Sequence, residues 1–113
     1  MKLTQKEAFS KHKYGIDLKV YPIKDKKIGL VRINCKTGHF EEFYNKKSTL
    51  TYYVLEGKGE FYLNGEKVKV KATDVVSIPP KTKTYYLGKM RLILITTPAW
   101  EYKDEMHVRN IKK

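Results

Sequence analysis

Apolar and polar residues alternate along much of this chain with a period of two, the spacing of a strand with one face buried. The alternation runs through residues 16–23 and 27–34, and again through 66–71, where Val68 and Val70 are interleaved with Lys67, Lys69 and Lys71. Residues 50–55 form a β-branched and aromatic run that stops at Gly57-Lys-Gly59, and residues 60–63 resume it. Asn64-Gly65 then predicts a two-residue hairpin turn, because such a turn needs positive φ at both positions. Residues 74–78 read as a strand that Pro79-Pro80 must end, since proline cannot donate to a ladder. Segments 83–87, 90–97 and 107–111 complete the set. Thr4-Gln-Lys-Glu7 has the capping-box pattern and predicts a short helix over about residues 5–10. So many short strands in 113 residues predict an all-β sandwich or barrel, a single domain over residues 1–113.

Composition narrows the function classes. The hydrophobic share of 41% is that of a globular domain. No apolar stretch approaches a membrane span, and the start lacks the apolar run of a signal peptide. The single Cys35 permits no internal disulfide, which suits a reducing compartment, so the cytoplasm is the expected location with no membrane partner. The formal net charge of +12 rests on 24 basic residues, of which only Arg32, Arg91 and Arg109 are arginine. Nucleic-acid readers lean on the arginine fork, whereas these lysines are scattered as solvated strand faces would place them. A dedicated nucleic-acid partner is not expected.

The blocks Tyr52-Tyr-Val-Leu-Glu-Gly-Lys-Gly-Glu60, Asn64-Gly-Glu66 and Ala72-Thr-Asp-Val-Val-Ser-Ile-Pro-Pro80 resemble the core of a cupin, over roughly residues 38–98. The resemblance implies a double-stranded β-helix, the jelly-roll barrel, with residues 99–113 as a tail packing back on it. Counted from Gly38, the first cupin motif closes in register at Gly57, and Pro79 matches the proline of the second. Its metal-ligand positions fall on Tyr44, Lys46, Leu50 and Thr84. Leucine cannot ligate, tyrosine and threonine are weak neutral donors, and lysine repels a cation. No metal and no cofactor is therefore expected.

In that register Tyr44, Lys46, Leu50, Tyr52, Val54, Thr84 and Tyr86 point into the barrel. Tyr44, Lys46, Tyr52, Thr84 and Tyr86 become the candidate ligand-binding residues, forming a tyrosine-rich wall with one ammonium and one hydroxyl. Lys46 has a second reading, because Asn45-Lys-Lys-Ser48 also has the composition of a solvent-facing turn. Tyr44 and His107 are the candidate acid–base groups. His39, after Gly38, reads as a solvated loop residue, and Glu41-Glu42 as a strand face answering nearby lysines. Cys35 reads as a small buried residue. By family analogy Trp100, Glu105 and His107 lie at a lid over the barrel mouth.

Three functions compete. The first is a metal-independent cupin binding a small polar or anionic organic molecule, sugar-like or a carboxylate. The second is a metal-independent isomerase or epimerase of sugars or nucleotide-sugars, against which stands the lack of an inward histidine. The third is a structural domain whose side chains fill the barrel. Cupins commonly pair through an edge strand, so a homodimer is expected.

Overall fold

The computed structural model describes residues 1–112. Thr4 caps a single 3-10 turn over Gln5–Glu7, with Glu7 reaching back to the Thr4 amide to close the capping box. The expected helix goes no further, because Phe9–Lys13 pairs as strand β1. Strands β2 (Ile16–Tyr21), β3 (Gly29–Cys35), β4 (Gly38–Asn45), β5 (Thr49–Leu63), β6 (Glu66–Lys71), β7 (Val75–Ile78), β8 (Thr84–Thr97) and β9 (Glu105–Asn110) follow. All pairings are antiparallel, in the order β1-β2-β3-β8-β4-β9, with β5 joining β6, β7 and β8. The Asn64-Gly65 hairpin is present, with φ of 50° and 84°.

Two long strands hold the curled sheet together. β8 lies beside β5 from Leu63↔Thr84 to Thr49↔Thr97. Their backbones come closest at Gly57, Gly59 and Gly88, where side chains are excluded. A Cβ on Gly57 would sit 2.0 Å from the Lys89 carbonyl oxygen, and its φ of +86° is strained for any L side chain. Gly57→Ala is expected to lower unfolding free energy by about 2–4 kcal/mol, as read from urea titration. An unchanged midpoint would show that the two strands can separate at no cost.

The core is the inward face of these strands, including Ile16, Ile33, Val54, Phe61, Ile78 and Leu92. Cys35 is fully buried there and donates to the Gly88 carbonyl at 3.2 Å. Burial pushes its thiol up to about 11, so it stays protonated. Strand β4 differs from the others in being buried on both faces, since β9 and β8 flank it and Phe40 packs under Gly15 and Gly38. No helix among the described residues is long and apolar enough to cross a membrane.

Candidate active site

The barrel is not filled by its own side chains. It encloses a cavity of about 320 Å³ between the β2–β3 wall and the β4–β8–β5 wall, with Ala99, Trp100 and Tyr102 of the tail also lining it. A larger, shallower groove of about 550 Å³ lies against β1 and β2, where its histidine, His12, is already paired with Asp17 at 2.6 Å.

His39 is the central polar group of the cavity. It sits on β4 directly opposite Tyr86 of β8, so both side chains project to the same face. The rings stack at 5.2 Å with 22° between planes, and the edge of Phe43 closes on His39 at 5.1 Å. Tyr86 in turn stacks on Phe61 at 4.9 Å, and Tyr52 packs against Phe61 and Tyr86 at 5.0 and 5.5 Å. This aromatic ladder across β4, β8 and β5 holds the imidazole without a single hydrogen bond. Both ring nitrogens of His39 are buried and lack a hydrogen-bond partner; the nearest carboxylate oxygen is Oε1 of Glu41, 3.8 Å from Nε2. Burial, reinforced by the Lys13 ammonium, pushes its pKa down to about 3. The imidazole is therefore neutral at pH 7, with a free lone pair.

Tyr52 and Tyr86 line the same cavity and are almost fully buried. Burial pushes both phenols well above their ordinary range, so both remain protonated donors. Neither hydroxyl is hydrogen-bonded to another described protein group. Glu105, the first residue of β9 within the tail, supplies a carboxylate. It accepts from Trp100 Nε1 at 2.9 Å and from Lys13 Nζ at 3.0 Å, and all three residues line the cavity. A neutral base, two phenol donors and a fixed carboxylate thus share one small chamber with apolar walls. Such a set can move a proton on a hydroxylated ligand while excluding water.

The remaining sequence candidates lie elsewhere. Tyr44 is half-buried and outside the cavity lining, and Lys46 is exposed on the turn that Asn45 Oδ1 fixes by accepting from the Lys47 and Ser48 amides. Their inward placement is corrected by the pairing of β4, which turns His39 and Phe43 to the cavity; a one-residue change of register moves every side chain to the opposite face. Thr84 is fully buried, its hydroxyl unpartnered, but it does not line the cavity. His107 is also outside the lining, about half exposed, stacked on Tyr14 and bonded through Nδ1 to Glu41 at 2.8 Å. Glu41 and Glu42 answer not lysines but His107 and Arg109 of β9. His39, expected in a solvated loop, is the inward histidine that the sequence reading lacked. Gly38 suggested a turn, but residues 39–44 carry three aromatic residues besides His39, and that β-propensity was the available signal.

The four positions that a cupin metal would use do not form a ligand set: Leu50 is apolar, Lys46 faces water, Tyr44 faces away and Thr84 is sealed behind the lining. Among the described residues, no three His, Cys, Asp or Glu side chains converge as metal ligands. The donor chemistry present does not fit a resident cation.

The Cupin domain family model matches residues 29–95. The chain belongs to the cupin family. It is similar over 99% of its length, and 93% of the other chain, to the structure of Pac13, described as a unique nucleoside dehydratase, with 45% identity and a TM-score of 0.97. Structures of Streptomyces Pac13 carrying one His→Gln or either of two Tyr→Phe substitutions, each with uridine, match at 44% identity and a TM-score of 0.96 to 0.97. KdgF from Halomonas sp. shares the fold at 19% identity and a TM-score of 0.72, covering 85% of this cupin and 91% of that chain. An uncharacterised protein of Aquifex aeolicus is 38% identical over 68 residues, 58% of this chain and 56% of that protein. The match thus spans little more than half the length of that curated relative.

Proposed function

We propose that this cupin is a nucleoside dehydratase that takes a uridine-like nucleoside into the barrel and removes water from its sugar, using His39 as the base. The observation that carries this reading is the buried set His39, Tyr52 and Tyr86. The three residues substituted in the uridine-bound Pac13 structures, one His and two Tyr, are separated by the same intervals along the chain as His39, Tyr52 and Tyr86. This reading carries forward the metal-independent small-molecule cupin and replaces isomerisation with elimination, since the histidine that isomerisation lacked is present as a neutral base.

The chemistry follows from the groups available. An imidazole can take a carbon-bound proton only where a neighbouring carbonyl stabilises the resulting charge, so the substrate carries a carbonyl beside that carbon. The C–H bond breaks to His39, and its electron pair forms the new C=C bond. The C–O bond beyond it breaks, and the departing hydroxide takes the proton back from the imidazolium to leave as water. No proton is gained or lost overall, so one base completes the cycle. Tyr52 and Tyr86 donate to the oxygens on which charge gathers, in a chamber where such bonds are stronger than in water. Glu105, braced by Trp100 and Lys13, accepts from sugar hydroxyls.

The test is incubation with carbonyl-bearing uridine derivatives, with product read by mass spectrometry as loss of one water, beside uridine affinity from calorimetry. Uridine binding with no water loss from any such derivative would leave a binding protein and remove the enzyme. Tyr52→Phe separates function from folding. Its hydroxyl has no protein partner, so stability should change by no more than about 0.5 kcal/mol. Uridine affinity should fall about 3- to 10-fold, the net worth of one hydrogen bond. A large loss of stability with full affinity would place the hydroxyl in the scaffold instead.

A further inference from the structure

Glu41 joins the cavity to the outer surface. Its Oε2 accepts from or pairs with Nδ1 of His107 at 2.8 Å, while its Oε1 is buried, lacks any hydrogen-bond partner and lies 3.8 Å from Nε2 of His39. The carboxylate is about 6% exposed, His39 about 2% and His107 47%, so the three form a line from the sealed interior to solvent. The β4–β9 ladder builds this line. Its register shifts between Glu42 and Phe43, a bulge of the kind that re-aims side chains, and places His107 opposite Phe43. The other groups facing His39 are Tyr14, Phe43 and Tyr86, with Lys13 acting through space; none is an anion.

We infer that Glu41, anchored by His107, is the positioning residue that fixes the tautomer of His39 and balances the imidazolium formed during the reaction. The inference rests on the dehydratase reading for its catalytic part and on geometry alone for its tautomer part. A proton on Nε2 faces the Glu41 carboxylate and leaves Nδ1 as the free base. At 3.8 Å the pair is wider than a hydrogen bond, and an approach of about 1 Å brings it to the charge-assisted distance once the ring is protonated. Without that approach, proton abstraction would leave a bare cation in an apolar chamber, which is the most costly product the site could make. No proton passes to Glu41 in this step. His107 fixes the other carboxylate oxygen, so the side chain cannot rotate away.

The experiment uses the intact protein and the variants Glu41→Gln, Glu41→Asp and His107→Gln. The ¹⁵N shifts of the His39 ring, measured without ligand, report the tautomer; steady-state kinetics report kcat and KM. Wild type should show a single tautomer with the proton on Nε2, and Glu41→Gln a mixture. In Glu41→Gln kcat should fall about 10- to 100-fold, the range seen when the carboxylate behind a metal-bound imidazole is removed, with KM within about 3-fold. Glu41→Asp should recover part of the rate. His107→Gln lies at the exposed edge and should lower kcat about 3- to 10-fold if His107 anchors Glu41. Unchanged ring shifts and unchanged kcat in Glu41→Gln would overturn the inference. Should no protein in the series turn over a nucleoside, the dehydratase reading falls, while the ring shifts still decide whether Glu41 sets the tautomer.

Discussion

Replacing His39 by Gln is expected to abolish water loss while leaving uridine bound. The imidazole makes no hydrogen bond within the protein, so its removal breaks none, and glutamine is close in volume with an amide that can face the same chamber. Affinity for uridine should therefore stay within about 3-fold, because binding draws on the aromatic walls, Tyr52, Tyr86 and Glu105. Turnover is another matter. General acid–base catalysis by a positioned side chain contributes about 10²- to 10⁴-fold, and here one residue both takes and returns the proton, so the loss belongs at the upper end. Product accumulation followed by mass spectrometry, with affinity from calorimetry on the same variant, checks both halves. Turnover at the wild-type rate in His39→Gln would remove the imidazole from the mechanism and shift attention to Glu105, the carboxylate lining the cavity.

What could be read from the sequence differs sharply between scaffold and site. The Asn64-Gly65 turn and the Pro79 stop report backbone requirements that each short segment satisfies by itself, and they held, while Gly57 answers the close approach of β8 as well as its own positive φ. Tyr52 and Tyr86 were also legible, because the cupin register put them inward and β5 and β8 carry both into the cavity lining. Outside the site, the helix expected to residue 10 gave way to β1 after Glu7; within the site the failure lay in β4. That strand is buried on both faces, so its sequence has no polar side to mark the solvent, and its inward set cannot be told from its outward set by pattern. The family motif put even-numbered residues inward, whereas the fold turns His39 and Phe43 in. His39, Glu41 and His107 acquire meaning only from pairing across strands far apart in the chain, as does the Lys13–Glu105–Trp100 set. Those contacts carry no local signature, and a one-residue slip was enough to hide the base and promote Tyr44 and Lys46 in its place.

The same buried histidine should make the fold sensitive to acid. Unfolded, His39 titrates at about 6.5; folded, burial and Lys13 hold it near 3. Well above pH 6.5 it is neutral in both states and contributes no pH dependence. Between pH 6.5 and 3 the unfolded chain carries a proton that the folded protein refuses, so stability must fall as pH falls and levels off below that window. One proton refused costs about 1.4 kcal/mol for each pH unit, reaching about 5 kcal/mol across the window, a large part of what holds a domain of this size together. Urea titrations at intervals from pH 7 to pH 4 should show a steeper loss for wild type than for His39→Gln, the difference approaching about 1.4 kcal/mol per unit below pH 6. His12 and the carboxylates are common to both proteins and cancel in that comparison. Parallel slopes would mean that the imidazole accepts its proton in the folded state, which requires Glu41 to have closed on Nε2 already in the resting protein. A steeper wild-type slope would show the pair open at rest, with the carboxylate available to answer the charge only when the reaction creates it.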